Sequence, residues 1–310
     1  MSLKRKGAPT PSNGLQKKPK TDFFAPRTSA QTAGAKTAFT FKANAPNTTR
    51  LVTWNVNGVK SLDEKLLDRY LKAEEPSVII LTETRCSEGK PDIFSLKSRF
   101  KYQYWGTGPQ HAGIAILSKL KPLSTVIGLP TCKDPSTKTE GRYIQIEFDK
   151  VYVVGTYAPN SGDKLQALDM KREWNAALTA HLRALDSMKP VIWAGDFNCI
   201  PTKLDADDTA LAYWDKMGGM SPEERADFEE ILNPSSGEHA KFADAWRHLR
   251  PSAQEYTHGS KKFGAWRLDS FIMSERILDK ALCCDIRHEL KDLKLSDHWP
   301  ITIDVAELLP

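Results

Sequence analysis

The segment KPVIWAGDFNCIP, Lys189–Pro201, decides how the rest of the chain is read. Val191, Ile192, Trp193 and Ala194 form an unbroken apolar run of strand length, which suits a strand covered on both faces better than an amphipathic helix. Gly195 closes it. Asp196 and Asn198 follow two residues apart, so on a continuing strand both side chains leave from one face. A carboxylate placed there can bind a hard cation or take a proton from water, and the amide can hold that water or a phosphoryl oxygen. Gly-Asp-x-Asn is equally at home in a plain turn, so the surrounding chain has to discriminate.

That chain has 310 residues, 40% of them hydrophobic, enough to bury a large core. No run approaches the roughly 20 apolar residues of a spanning helix, and the basic, polar N-terminus lacks the apolar centre of a secretory signal. No membrane role is expected. Five cysteines without a CxxC spacing suggest neither a disulfide framework nor a zinc site, and they fit a reducing compartment. Residues 1–48 hold nine Lys/Arg against Asp22 alone, a net +8; the whole chain carries +5, so the remainder is slightly negative at −3. A body of that charge does not announce nucleic-acid binding by composition, and any such function must come from its sites.

Residues 1–48 are rich in Lys, Pro, Thr, Ser, Ala and Gly and poor in large apolar side chains, so they read as a disordered basic tail. Lys4-Arg5-Lys6 and Lys17-Lys18-Pro19-Lys20 resemble a bipartite nuclear localisation signal, and a nuclear protein is expected. Thr21-Asp22-Phe23-Phe24 resembles the second half of a sliding-clamp-binding peptide, although Lys17 and Lys20 stand where its glutamine and aliphatic positions belong.

From residue 49 to 310 the pattern is that of one domain. Apolar runs at 51–57, 77–82, 102–105, 113–118, 143–148, 151–157, 191–194, 268–273 and 299–305 read as strands; 61–73, 167–185 and 221–232 read as helices, the last opened by SPEER with Ser at the cap and Glu three residues on. So many short strands would overfill one open sheet. The expected fold is therefore α/β, two packed mixed sheets flanked by helices in a four-layer sandwich.

Polar residues recur where these strands end: Asn55 and Asn57, Glu83, Tyr157 and Asn160, Asp196 and Asn198, Asp269, and Asp297 with His298 before the last strand. Side chains at strand exits can share one pocket, and several acids there repel one another unless a cation is present. The oxygen-rich set, without thiolates or a histidine cluster, favours Mg²⁺, with Mn²⁺ as a substitute. Singly, each residue also serves as a turn former, a solvated acid, a cap or a core aromatic.

Together the blocks WNVNG (54–58), LTET (81–84), GIAILS (113–118), TYAPN (156–160), GDFN (195–198), WRLD (266–269) and SDHWP (296–300) resemble, in order and spacing, the exonuclease III family of abasic-site endonucleases, across roughly residues 50–305. DNase I, sphingomyelinases and inositol phosphatases share some of these elements, but the long match with WRLD favours the DNA-repair branch. The resemblance implies Mg²⁺-dependent hydrolysis of the phosphodiester 5′ to an abasic site in double-stranded DNA. The products would be a 3′-hydroxyl and a 5′-deoxyribose phosphate, with 3′ phosphodiesterase action on blocked 3′ ends and 3′ to 5′ exonuclease activity in the same monomer. It also implies roles. Asp196 would activate water beside Asn198. Glu83, with Asn55, Asn57 and Asp297, would hold the metal. His298, oriented and charged by Asp269, would donate to a phosphoryl oxygen, and Tyr157 and Asn160 would contact the scissile phosphate. Trp266, Leu268 and His258 would bound the abasic sugar. A protein that only binds DNA has no physical use for a charged cluster that repels phosphate without metal.

Three departures accompany the resemblance. Thr82 stands where the family usually has Gln. His258 replaces an aromatic that helps wall the sugar pocket, and the loop after it is short, GSKKFGA at 259–265. Phe263 is the residue of that loop with the means to fold back and supply the missing wall.

Overall fold

The computed structural model describes residues 39–44, 46–108, 112–132, 140–237 and 241–310; the basic clusters and Thr21–Phe24 lie outside them. In chain order the strands are β1 (Thr48–Asn55), β2 (Val78–Thr82), β3 (Tyr102–Gly106), β4 (Ile114–Ser118), β5 (Ser124–Ile127), β6 (Tyr143–Glu147), β7 (Tyr152–Tyr157), β8 (Val191–Asp196), β9 (Phe242–Asp244), β10 (His258–Ser260), β11 (Gly264–Trp266), β12 (Asp269–Ser274), β13 (Ala281–Ile286) and β14 (Ile301–Ala306). The helices are α1 (Glu64–Glu74), α2 (Phe94–Arg99), α3 (Leu168–Met188), α4 (Asp208–Leu211), α5 (Pro222–Leu232) and α6 (Ala245–Leu249). Among the described residues no helix is long and apolar enough to cross a membrane.

Two six-stranded sheets form, ordered β13-β14-β1-β2-β4-β3 and β5-β6-β7-β8-β12-β9, with β10-β11 as a separate ribbon. Each is mixed: β1 runs parallel to β2 and β7 parallel to β8, while the remaining pairs are antiparallel. The sheets face each other, β1 and β2 against β8 and β4 against β7. They approach tightly at Gly155, where an added Cβ would lie 2.9 Å from Ile80 Cγ2 and 3.2 Å from Ile114 and Ile116 Cδ1, so glycine is the residue that fits. Between them lies an apolar layer that includes Ile80, Ile116, Val153, Ala194, Phe271 and Ile303. A second cluster covers the outer face of the second sheet, where Trp174, Leu178 and Leu182 of α3 and Phe228 and Ile231 of α5 pack on Val154, Trp193 and Ile272. The α/β sandwich expected from the strand count is the one observed.

Local chemistry sets the ends. Asp63 caps α1 by accepting from Leu66 N, and α1 closes on Glu75 in a left-handed conformation just before Pro76, which cannot continue a helix. Ser221 and Glu224 form a full capping box at α5, with Pro222 in the first turn, as SPEER implies.

The folded body begins at Phe39, earlier than the expected boundary at residue 49. Phe39 and Phe41 stack on each other at 5.7 Å and meet the Tyr70 ring edge-on at 6.3 and 6.0 Å. The Arg287 guanidinium sits 4.6 Å over Phe41. Two aromatics within a polar stretch are enough to fix it to the body.

Candidate active site

Strand direction gathers the polar residues. Asn55 ends β1, Glu83 follows β2, Tyr157 ends β7 and Asp196 ends β8, with Asp269 directly opposite Asp196 in the antiparallel register. His298 precedes β14 and bridges to His258 of β10. The turns that aim these side chains are strained. Asn57, Glu83 and Asn198 have φ of 47°, 51° and 46°, a left-handed conformation that costs a non-glycine residue about 1 kcal/mol or more and clusters at functional sites. Gly195 has φ of 143°, and a Cβ there would fall 1.8 Å from Thr156 O. The glycine of GDFN is therefore demanded by β7, which lies too close for any side chain.

One amide ties the two sheets together at the site. Asn55 Nδ2 donates to Asp196 Oδ2 at 2.8 Å and to Glu83 Oε2 at 3.2 Å. Tyr157 donates its hydroxyl to Glu83 Oε2 at 2.9 Å, and Arg85 NH2 reaches Glu83 Oε1 at 2.5 Å. Thr82, the departure from the family pattern, has a buried hydroxyl with no partner; Glu83 is held by Asn55, Tyr157 and Arg85 instead. Asp196 Oδ1 accepts from Asn198 N at 2.9 Å, Asn198 Nδ2 donates to Ala158 O at 2.8 Å, and Asn160 Nδ2 donates to Asn198 Oδ1 at 3.0 Å. Asn57 Nδ2 donates to Asp297 Oδ1 at 2.9 Å.

Beside this network His298 Nδ1 lies 2.7 Å from Asp269 Oδ2, and its Nε2 lies 4.0 Å from Asp196 Oδ2. Asp196, Asp269 and His298 are all buried, and one polar atom from each falls within 4.8 Å of the others. Burial first, and then the Asp269 charge, push the Asp196 carboxyl up to about 6. For His298 burial works against the charged ring, but the Asp269 carboxylate and its hydrogen bond, with Asp196 and Asp297, outweigh it and raise the imidazole to about 9. Burial and the charges of Glu83 and Asp196 hold the Tyr157 phenol well above its ordinary value. Burial opposes ionisation of Asp297, yet His258 and His298 hold it well below the usual carboxylate range. Near neutral pH the site thus pairs a carboxylate with an imidazolium.

His258 stacks on Trp266, with ring centroids 4.9 Å apart and planes inclined by 23°, and meets His298 edge-on at 4.6 Å. Phe263 packs on Tyr213 at 5.2 Å and, with it, against the apolar cluster that holds Trp266 and Leu268. The ring stacked on Trp266 is that of His258. Leu268 is buried with Trp266 among Ile200, Ala206 and Met220. Adjoining the site is an open cleft of ≈ 1060 Å³ whose walls include Asn57, Asp297, Arg85, Lys261, Lys291 and Lys294.

Sequence reading missed Arg85 and Arg142. Arg142 sits 4.7 Å over the Tyr157 ring and donates to Tyr157 O. It also missed Thr257, whose Oγ1 accepts from the Leu268 and Asp269 amides. Thr257 was within reach, because a hydroxyl beside the WRLD strand is a natural partner for its first amides; the two arginines carried no local signal.

The donor set suits a hard cation. Glu83 and Asp297 supply partly accessible carboxylates, Asn55 and Asn57 supply amides, and no cysteine belongs to the site. Oxygen donors of this kind match Mg²⁺ or Mn²⁺ better than zinc.

Comparison with known proteins agrees with this geometry. The sequence pattern of the endonuclease/exonuclease/phosphatase family matches residues 52–298. The DNA-(apurinic or apyrimidinic site) endonuclease of Dictyostelium discoideum is 31% identical over 269 residues, 84% of this chain and 71% of that protein. An exodeoxyribonuclease of Bacillus subtilis (strain 168) is 31% identical over 264 residues, 82% of this chain and 98% of that protein. Among solved structures, an AP endonuclease from Archaeoglobus fulgidus superposes with a TM-score of 0.72 at 22% identity, covering 84% of this chain and 99% of that one.

Proposed function

The chain belongs to the endonuclease/exonuclease/phosphatase family, and we propose that it is a DNA-repair hydrolase that cuts the phosphodiester 5′ to an abasic site. It leaves a 3′-hydroxyl and a 5′-deoxyribose phosphate, and the same centre trims blocked 3′ ends and removes 3′ nucleotides. The observation that carries this reading is the face-to-face placement of Asp196 and the His298 imidazolium, 4.0 Å apart, with Asp269 behind the ring.

In this reading a water sits between Asp196 and Asn198. Asp196 takes its proton as the oxygen attacks phosphorus, and Asn198 holds the water or a non-bridging oxygen. His298 donates from Nε2 to a phosphoryl oxygen as negative charge grows there, while Asp269 on Nδ1 fixes ring orientation and charge. Tyr157 and Asn160 hold the scissile phosphate, and Trp266, Leu268 and His258 bound the base-free sugar. Glu83, with Asn55, Asn57 and Asp297, would hold a Mg²⁺, which would supply Lewis-acid polarisation of the phosphate and charge stabilisation at the departing oxygen.

The test is purified protein with Mg²⁺ on a duplex bearing one abasic analogue. A single nick is expected whose 3′ end a polymerase extends, abolished by chelation and restored by Mn²⁺. Asp196→Asn should lower kcat by roughly 10²–10⁴-fold with DNA affinity kept. Hydrolysis of an inositol phosphate or sphingomyelin without any nick would sink the reading. The same proposal assigns the monomer to the nucleus through its two basic clusters and to a sliding clamp through Thr21–Phe24. Loss of nuclear accumulation and of clamp pull-down on removing residues 1–38 are the corresponding tests.

A further inference from the structure

Lys171 lies in the first turn of α3, 1% exposed, where an ammonium meets the positive end of the helix dipole and a dry interior at once. Both oppose it. Its Nζ donates to Glu224 Oε1 at 2.6 Å and to the backbone carbonyl of Asn198 at 2.6 Å. Glu224, fully buried, accepts on Oε2 from the amides of Gly219 and Ser221 at 2.7 and 3.2 Å. Ile200 N reaches Gly219 O at 2.8 Å, so the turn after β8 is joined to the start of α5 on both sides of the ion pair. Asn198 is one of the left-handed residues of the site, and its own N–H holds Asp196.

A buried pair of this kind is weak evidence for stability, since apolar residues of similar size often do as well. What apolar residues cannot supply is the donor on the Asn198 carbonyl. Resting on the hydrolase reading above, we infer that Lys171 and Glu224 are positioning residues. They lock the peptide after Asn198 in its strained conformation, so that the Asn198 amide and the Asp196 carboxylate address the same water. Neither touches substrate. Without the ammonium that carbonyl loses the one charged donor it has among the described residues, and the turn relaxes toward ordinary backbone.

The experiment compares wild type, Lys171→Met, Lys171→Met/Glu224→Gln and Lys171→Arg on the abasic-analogue duplex, with thermal unfolding measured alongside. Lys171→Met alone leaves a buried carboxylate unpaired and should be unstable, and the double variant should recover most of that stability. Even so, its kcat should stay about 10- to 100-fold low, the scale of a misplacement near 1 Å, with KM within about twofold. Lys171→Arg, which keeps a charged donor, should restore kcat. If the double variant does not fold, Glu224→Gln alone is read: kcat reduced about tenfold at unchanged KM supports the inference, and unchanged kcat overturns it. A stable double variant with wild-type kcat also overturns it. Wild type that cuts no abasic duplex overturns the functional reading and this one together, whereas active wild type beside equally active variants overturns this one alone.

Discussion

Replacing Asp269 by Asn isolates the source of charge on the His298 imidazole, the proposed donor to the phosphate. In the native protein His298 Nδ1 and Asp269 Oδ2 are 2.7 Å apart and both residues are buried, and the imidazole rises from 6.5 to about 9. That rise is worth roughly 3 kcal/mol of preference for imidazolium. Without the carboxylate, burial opposes the charge with only Asp196 and Asp297 left to favour it, so the ring titrates lower than in the native protein. At about pH 7.5 the native ring is almost wholly charged and the variant's less so, which lowers kcat. Loss of ring orientation adds to this. The deficit should widen above neutrality and narrow toward pH 6, where the variant ring recharges. In the native protein Asp196 titrates near 6 in the metal-free site, and a bound Mg²⁺, which favours the carboxylate, would place the acid limb of kcat lower. Stability follows the same proton. The folded protein holds it more tightly than the unfolded chain, so the His298 contribution is full below pH 6.5 and is lost as pH rises through about 9; Asp269→Asn should flatten that fall. The measurements are kcat from pH 5.5 to 9.5, imidazole titration by NMR in metal-free protein, and melting temperature at both ends of the range. A variant whose alkaline limb stays near 9 would refute the assignment of the charge to Asp269.

Other outcomes follow from single contacts. Phe39→Ala/Phe41→Ala should cost about 1–3 kcal/mol of unfolding free energy through the lost stacking on Tyr70, read from urea midpoints, whereas removing residues 1–38 should leave the midpoint in place. His258→Phe should raise the ratio of abasic incision to 3′ exonucleolytic removal by about tenfold, the worth of ~1 to 2 kcal/mol of apolar contact against Trp266. Phe263→Ala should leave that ratio alone, and a collapse there would make Phe263 the sugar wall. Gly195→Ala should abolish soluble folded protein or cost more than about 3 kcal/mol, because its Cβ has no room beside Thr156 O; a well-folded variant by circular dichroism would contradict the close approach of β7.

What the sequence exposes is governed by periodicity. Apolar runs such as VIIL at 78–81 and VIWA at 191–194 are covered on both faces, so their composition alone marks them as strands and their exits as places where polar side chains gather. Strands β5, β9 and β13 and the ribbon escape notice for the converse reason. Along β13 a bulge between Ala281 and Cys283 breaks the alternation, leaving Leu282 exposed and Cys284 buried, and three-residue β10 and β11 are too short for any period to register. Phe39 and Phe41 were hidden by composition, because a window average over a Lys- and Thr-rich stretch dilutes two aromatics. Lys171 was hidden by habit: on a helix at 167–185 a lysine reads as a solvated side chain, and only tertiary packing shows it turned inward. The left-handed turns at Asn57, Glu83 and Asn198 leave no mark at all in a scheme built on repeating conformations.

The pairing of β1 with β14 has a bearing on how the protein comes off the ribosome. Asn55 and His298 stand far apart in the sequence although side by side in the site, and the strand that carries Asn55 finds its neighbour on one side only when β14 has been made. A nascent chain therefore holds Glu83, Tyr157 and Asp196 throughout the synthesis of residues 197–297 without the imidazole that completes the proposed site. Chains interrupted before β14 expose an unpaired edge of β1, the kind of edge that quality control recognises. A DNA-cutting activity that switches on only with the final strand spares the cell half-made nucleases.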